Sequence, residues 1–213
     1  MCSVTCLGFA LLLAGCGGQA PVEKKAVTVT PKIDGVMPEV WRVLFDSSKG
    51  SFVIEVHKDW APKGAERFWK LVNMGFFNNT RIYRVRPDFI AQFGLSGDPQ
   101  TNSMLSASVV EDDPAKQKNE KGTISFAQSG PRSRRTQVFV NLKDNSVLDK
   151  DGFVPFGKVT QGMDVFEKLY SGYGEWEPPG RGPNAMRILT QGNEYLDTHF
   201  PKLDKIIRAK VID

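Results

Sequence analysis

The sequence predicts a mainly β protein: a closed, eight-stranded antiparallel β-barrel capped by two or three α-helices. Three observations carry that prediction. Short runs of alternating apolar and polar residues recur from Trp41 to the end of the chain, the period-two mark of half-buried strands. Helical spacing appears in only a few short segments. The 20 Gly, 13 Pro and 14 Phe among 213 residues describe a loop-rich chain with an aromatic core, not a helical bundle. The length fits a single domain after a short leader.

The elements follow in order. Trp41, Val43 and Phe45 alternate, as do Phe52, Ile54 and Val56, and Asp46–Gly50 between them supplies a turn, so this pair reads as a hairpin. Ala65, Phe68, Trp69 and Val72 have the spacing of one buried helical face. Pro62 suits the first turn of that helix and Gly75 its end. Strands are expected at 81–85, 89–93, 123–128, 137–142 and 153–159. The polar stretch 96–121 reads as an excursion over the surface. Residues 164–170 predict a second short helix burying Val165, Phe166 and Leu169. Residues 193–203 predict a third, capped by Asn193. Ile207, Ala209 and Val211 place a last strand at 206–212, with those three on one face.

The first fifteen residues read as an address. Residues 7–15, LGFALLLAG, form an apolar run far shorter than the roughly 20 residues that span a bilayer. The length suits the apolar core of a secretory signal. The run ends in Leu13-Ala14-Gly15-Cys16, which resembles the bacterial lipobox, in which the chain is cut before a cysteine that then carries lipid. Residues 1–15 are therefore expected to be a lipoprotein signal peptide. Residues 16–39 would be a lipidated Cys16 with a Gly-, Pro-, Lys- and Thr-rich tether, and residues 40–213 the folded domain. That address implies a membrane-anchored protein of the bacterial cell envelope, facing the periplasm or the exterior.

Composition removes several function classes. The net charge of +4 does not imply nucleic acid as a partner. All three cysteines, Cys2, Cys6 and Cys16, lie in the leader region. The domain therefore has no disulfide, cysteine nucleophile or zinc-thiolate site. His57 and His199 are the only histidines, and neither lies in a catalytic setting; His57 is expected at a strand end, facing solvent, and His199 on an exposed helix face. There is no phosphate-binding GxxxxGK[ST] loop and no G-x-S-x-G elbow. Glu111-Asp112-Asp113 lacks EF-hand spacing and reads as a solvated acidic loop. Arg132, Arg134 and Arg135 read as a solvated basic loop or a patch that steers acidic clients. No metal and no cofactor is expected.

Three segments carry the functional reading: Tyr83–Gly94 (YRVRPDFIAQFG), Gly122–Val140 with its GTISFAQSGP and TQVFV runs, and Leu148–Val159 with its FVPFGKV run. Their order and spacing resemble the cyclophilin family of peptidyl-prolyl cis-trans isomerases, from about Trp41 to the C-terminus. The resemblance implies an enzyme that speeds rotation about X-Pro bonds. In the family pattern Arg84 matches the catalytic arginine and Gln92 the glutamine that holds it and the substrate. Phe89, Phe139 and Leu148 match the proline pocket, with Ile90 on its wall. Ala127 and Gln128 match the segment that pairs with the substrate backbone, and Gln137 a further polar contact. Phe153 falls where many relatives carry histidine, so it gives wall without a hydrogen bond. Val147 falls where some carry tryptophan, which implies weak cyclosporin binding. Phe126 and Phe156, on the same strands, read as core.

The chemistry suits these residue types. An amide resists rotation by about 18–20 kcal/mol because nitrogen shares its lone pair with the carbonyl. A fixed cation near that nitrogen favours the twisted amide, whose lone pair has become an acceptor. Arginine is always charged and donates through a rigid fork. The expected partners are proline-containing peptides and folding or unfolded proteins, with the chain a monomer. A proline-binding chaperone or scaffold with little turnover is the competing reading.

Overall fold

The computed structural model describes Met1 and residues 35–212. The predicted signal, Cys16 and most of the tether lie outside the described residues. Strands β1 (Val40–Ser47) and β2 (Gly50–His57) form the predicted hairpin around a tight turn at Ser48-Lys49. Gly50 closes the turn at φ +124°, a value that favours glycine. Phe45 lies opposite Phe52, and their rings stack 5.0 Å apart.

Helix α1 (Pro62–Asn73) has Pro in its first turn and buries Ala65, Phe68, Leu71 and Val72. Ala61 at its N-cap has no side-chain oxygen for the first free N–H groups. The carboxylate of Asp113 serves instead, accepting from Lys63 N at 3.0 Å and Gly64 N at 2.9 Å. A side chain some fifty positions away along the chain thus does the work of a local cap.

The strand expected at 81–85 is two short ones, β3 (Thr80–Arg81) and β4 (Arg84–Val85), separated by Ile82 and Tyr83. After them come β5 (Ile90–Phe93), α2 (Pro99–Ser106), β6 (Thr123–Phe126), β7 (Val138–Asn141), α3 (Val147–Lys150), β8 (Pro155–Gln161), α4 (Met163–Glu167), α5 (Ala185–His199) and β9 (Lys205–Ile212). All strand pairs are antiparallel. Among the described residues, nine strands form one sheet in the order β3-β9-β1-β2-β8-β6-β7-β5-β4. The mainly β, antiparallel, helix-flanked architecture is as expected, with nine strands in place of eight because 81–85 is split. No ladder joins β3 to β4. Since only Ile82 and Tyr83 separate these two outer strands in sequence, the sheet must curl until its ends meet, and the chain itself bridges the gap.

Inside the curl, Phe45, Phe52, Phe68, Phe77, Phe93, Phe126 and Phe156 form one core with Ile54, Ile124 and Val140. Phe126 and Phe156 are core residues, as expected. A smaller cluster of Tyr83, Leu95, Ile188, Tyr195 and Leu196 seats α5 outside the sheet. Among the described residues, no helix is long and apolar enough to cross a membrane.

Five local expectations need correction. The stretch 96–121 is not all surface: it contains α2, capped by Asp98, and buries Asn102, Asp113 and Asn119. Asp113 is therefore no solvated acid, and Arg134 no solvated base: Arg134 is buried and its Nη2 lies 3.0 Å from Asp113 Oδ2. On β9, Ile207 faces solvent while Ile206, Ala209, Val211 and Ile212 are buried. The β1–β9 register shifts at Asp46/Ser47, and the extra residue at this bulge turns its side chain outward. The last helix begins at Ala185, with Asn184 as its cap, and ends at His199. Gly192, non-helical at φ +60°, divides it, so a helical stretch does start at Asn193 as expected, but the Asn193 side chain bonds the Asn79 carbonyl instead of capping it. His57 ends β2 as expected but is half-buried instead of facing solvent, its ring stacked on Trp60 at 4.1 Å.

Candidate active site

The site lies on the outer face of β4, β5 and β7. Alternation divides the strands: Ala91, Phe93, Val138 and Val140 point into the core, while Ile90 and Phe139 form a separate outer cluster with Leu148. Phe89, Ala127 and Phe153 pack against that cluster, and the rings of Phe139 and Phe153 meet edge to face at 5.6 Å. The pocket between them holds about 200 Å³. Its lining is Arg84, Phe89, Ile90, Gln92, Ala127, Gln128, Phe139, Leu148, Phe153 and Trp176.

The register of β4 against β5 sets Arg84 directly opposite Gln92. Cross-strand partners share a face, so the two side chains meet, and Arg84 Nη1 donates to Gln92 Oε1 at 2.8 Å. Gln92 Nε2 donates to Gln137 Oε1 at 3.1 Å, which also accepts from the Tyr83 hydroxyl at 2.7 Å. Burial pushes the Tyr83 phenol far above its ordinary value, so it stays a donor. The chain Tyr83–Gln137–Gln92–Arg84 thus fixes the guanidinium at the pocket rim.

A second network lies beneath the floor. Asn145 Nδ2 donates to the Phe89 carbonyl at 2.9 Å and to Asn141 Oδ1 at 2.8 Å. Asn141 Nδ2 reaches Asn119 Oδ1 at 3.1 Å. Asn119 Nδ2 in turn bonds the Phe153 carbonyl and Asp149 Oδ1, each at 2.8 Å. Buried amides whose groups are all satisfied hold a unique geometry, and here they tie two pocket walls, Phe89 and Phe153, to one frame.

The structure gathers all the predicted pocket residues except Gln137, which braces Gln92 from a neighbouring hollow. Gln128 is tied by its Nε2 to the Asp151 carbonyl at 2.9 Å. Sequence reasoning gave no role to Tyr83, though it opens the first motif run, and missed Asn119, Asn141 and Asn145, which carry no motif of their own. It also missed Glu175 and Trp176. Arg84 Nε lies 2.6 Å from Glu175 Oε1, and its Nη2 donates to Glu175 Oε2 at 2.7 Å. Arg86 Nη1 reaches Glu175 Oε2 at 3.0 Å. Burial alone would raise the Glu175 pKa, but hydrogen bonds and charge from Arg84, with lesser help from Arg86, hold it below the ordinary carboxylate value. Among the described residues, no group of three or more His, Cys, Asp and Glu side chains is placed to hold a metal.

A model of the family described as cyclophilin type peptidyl-prolyl cis-trans isomerase/CLD matches residues 42–190. The chain belongs to the cyclophilin family. Among its curated cyclophilin relatives is peptidyl-prolyl cis-trans isomerase-like 1 of Aspergillus fumigatus, 33% identical over 130 residues, covering 60% of this chain and 80% of that protein. A bacterial relative, peptidyl-prolyl cis-trans isomerase A of Dickeya dadantii, is 33% identical over 132 residues, covering 60% of this chain and 70% of that one. A solved cyclophilin from Cryptosporidium parvum superposes with a TM-score of 0.60 at 18% identity, covering 82% of this chain and 98% of that one. A second structure of that protein was determined in the presence of the dipeptide Ala-Pro.

Proposed function

We propose that this cyclophilin catalyses cis-trans isomerisation of X-Pro bonds, with Arg84 as its catalytic residue. The observation that carries the reading is a guanidinium held at the rim of an apolar pocket that has room for a prolyl ring. A cavity of about 150 Å³ accepts benzene, and this pocket is larger. Phe89, Ile90, Phe139, Leu148 and Phe153 would enclose the ring, while Gln92 would hold Arg84 and a substrate carbonyl. As the amide twists, its nitrogen lone pair leaves conjugation and becomes an acceptor. A pre-oriented Arg84 N–H then meets it without reorganisation, the usual source of electrostatic catalysis. The Ala127 N–H already donates to the Gln137 carbonyl at 2.9 Å, so backbone pairing with the peptide would use other groups of the 127–128 segment. No bond is made or broken and no cofactor is invoked.

The test is two-dimensional NMR exchange on an Ala-Pro peptide with catalytic amounts of the chain. Exchange cross-peaks with the parent should collapse with Arg84→Ala, since removing one such preorganised donor costs about 10²–10³ in rate. Saturable binding without exchange would instead favour a proline-binding module. Equal exchange by parent and variant would exclude Arg84 as the catalyst.

The Leu13-Ala14-Gly15-Cys16 run supports a lipid-anchored form working on exported or envelope proteins, with residues 40–213 as the isomerase domain. Labelled fatty acid should enter the parent expressed in bacteria and not Cys16→Ala. Equal labelling of the two would refute the anchor.

A further inference from the structure

Residues 171–184, SGYGEWEPPGRGPN, connect α4 to α5 and pass over the rim of the pocket. This strap is folded on itself. Gly180 N donates to the Trp176 carbonyl and Gly182 N to the Glu175 carbonyl, both at 2.7 Å. A Cβ at Gly180 would collide with the Glu175 carbonyl, so glycine is what lets the loop close this tightly. Asn184, the cap of α5, donates its backbone N–H to the Tyr195 hydroxyl at 3.1 Å.

The strap delivers two side chains to the site. The Glu175 carboxylate accepts from Arg84 Nη2 and lies against Nε as an ion pair, while Gln92 accepts from Nη1. The Trp176 ring lies 5.1 Å from the Arg84 guanidinium carbon, and Phe89 lies 5.9 Å from it. Trp176 also runs nearly parallel to Tyr83 at 6.3 Å. Nη1 and Nη2 of Arg84 are therefore hydrogen-bonded, its buried Nε is in ion-pair contact with Glu175 without a hydrogen bond of its own, and aromatic rings neighbour its faces. A long arginine side chain left to itself samples many rotamers, and small misplacements of a reacting group cost large factors in rate.

We propose that Glu175 is a positioning residue for Arg84 and that Trp176, carried on the same strap, is a specificity-determining wall of the proline pocket. This rests on the isomerase reading and extends it to a segment outside the three motif runs. The strap does not plug the site, because the pocket of about 200 Å³ is present with Glu175 and Trp176 in place. Nor does Glu175 cancel the charge that Arg84 needs: Arg86 shares the carboxylate, so two guanidiniums face one acid. The local charge remains positive where a lone pair would develop. Trp176 also brings an indole to the pocket from a different part of the chain than Val147, which is exposed.

The experiment compares the full chain with Glu175→Gln and Trp176→Ala on an Ala-Pro peptide. For Glu175→Gln, kcat should fall about tenfold while KM and the thermal midpoint stay close to the parent's. The Arg84 Nε–Hε resonance, assigned with Arg84→Lys, should shift or broaden in the same variant. For Trp176→Ala, KM should rise severalfold with the larger effect on KM. An unchanged kcat, an unchanged Nε–Hε resonance, or a kcat that rises on removing the carboxylate would overturn the role of Glu175. An unchanged KM would overturn that of Trp176. A parent without turnover would sink the isomerase reading. The Nε–Hε signal and the affinity of Trp176→Ala for the peptide need no turnover and would still decide the two structural roles.

Discussion

Replacing Asp113 with Ala should be among the most destabilising single changes outside the aromatic core. Its carboxylate is fully buried, as is nearly all of Arg134 (0% and 2% side-chain exposure). It also accepts two N–H groups from the first turn of α1. Removing one member of a buried ion pair costs about 3–5 kcal/mol, because the partner is left charged and dry. Losing the cap adds about 1 kcal/mol. For a domain of this size each kcal/mol lowers the thermal midpoint by roughly 2–4 °C, so a fall of roughly 10–20 °C is expected. Calorimetry or thermal circular dichroism reads this directly. The double variant Asp113→Ala/Arg134→Met should recover much of the loss, since no buried charge is then stranded. A fall below about 3 °C, or a double variant no better than the single one, would refute the reasoning.

Two further outcomes follow from the site and its frame. Glu175 has a depressed folded-state pKa, so its contribution is fully present above the ordinary carboxylate value and is lost as pH falls through the lower folded one. Isomerase activity on a peptide without ionisable side chains should therefore hold from neutral pH down past the usual glutamate range, then drop. Glu175→Gln should lack that acid limb, and identical profiles would contradict the assignment. Gly94 sits at φ +100°, where an added Cβ would run into the Thr136 carbonyl. Gly94→Ala should cost about 3 kcal/mol in strain and displaced backbone, read as a lower denaturant midpoint.

The pocket was legible in the sequence because its parts lie on strands. Ile90, Gln92 and Phe139 alternate with core residues, so one periodicity puts them on a shared outer face. The motif runs then say which face carries function. The frame around them was not legible, because it is built from contacts distant in sequence. Asp113 looks like one of three solvated acids until α1 and Arg134 converge on it. Asn119 sits in a polar stretch that gives no sign of being buried beneath Phe153. Alternation alone puts Ile207 with Ala209 and Val211, and only a single-residue bulge that the sequence does not signal turns it to solvent. Glu175 and Trp176 lie among glycines and prolines, where no period exists to read.

The two-residue bridge at Ile82–Tyr83 bears on the order in which the molecule assembles. One arc of the sheet, β4-β5-β7-β6, is drawn from residues 84–141 and needs only contacts at short or moderate chain separation. The other arc sets β1 against β9, the first strand against the last, so Arg42 finds Ile212 only when the whole domain is available. Closing a loop that long is entropically slow. The arc that carries Arg84 and Gln92 can therefore take shape while the chain is still arriving, whereas the hoop is completed only by the eight residues of β9. The last step of the domain's own assembly is thus set by topology: β9 must be in place before β1 has a partner on both sides.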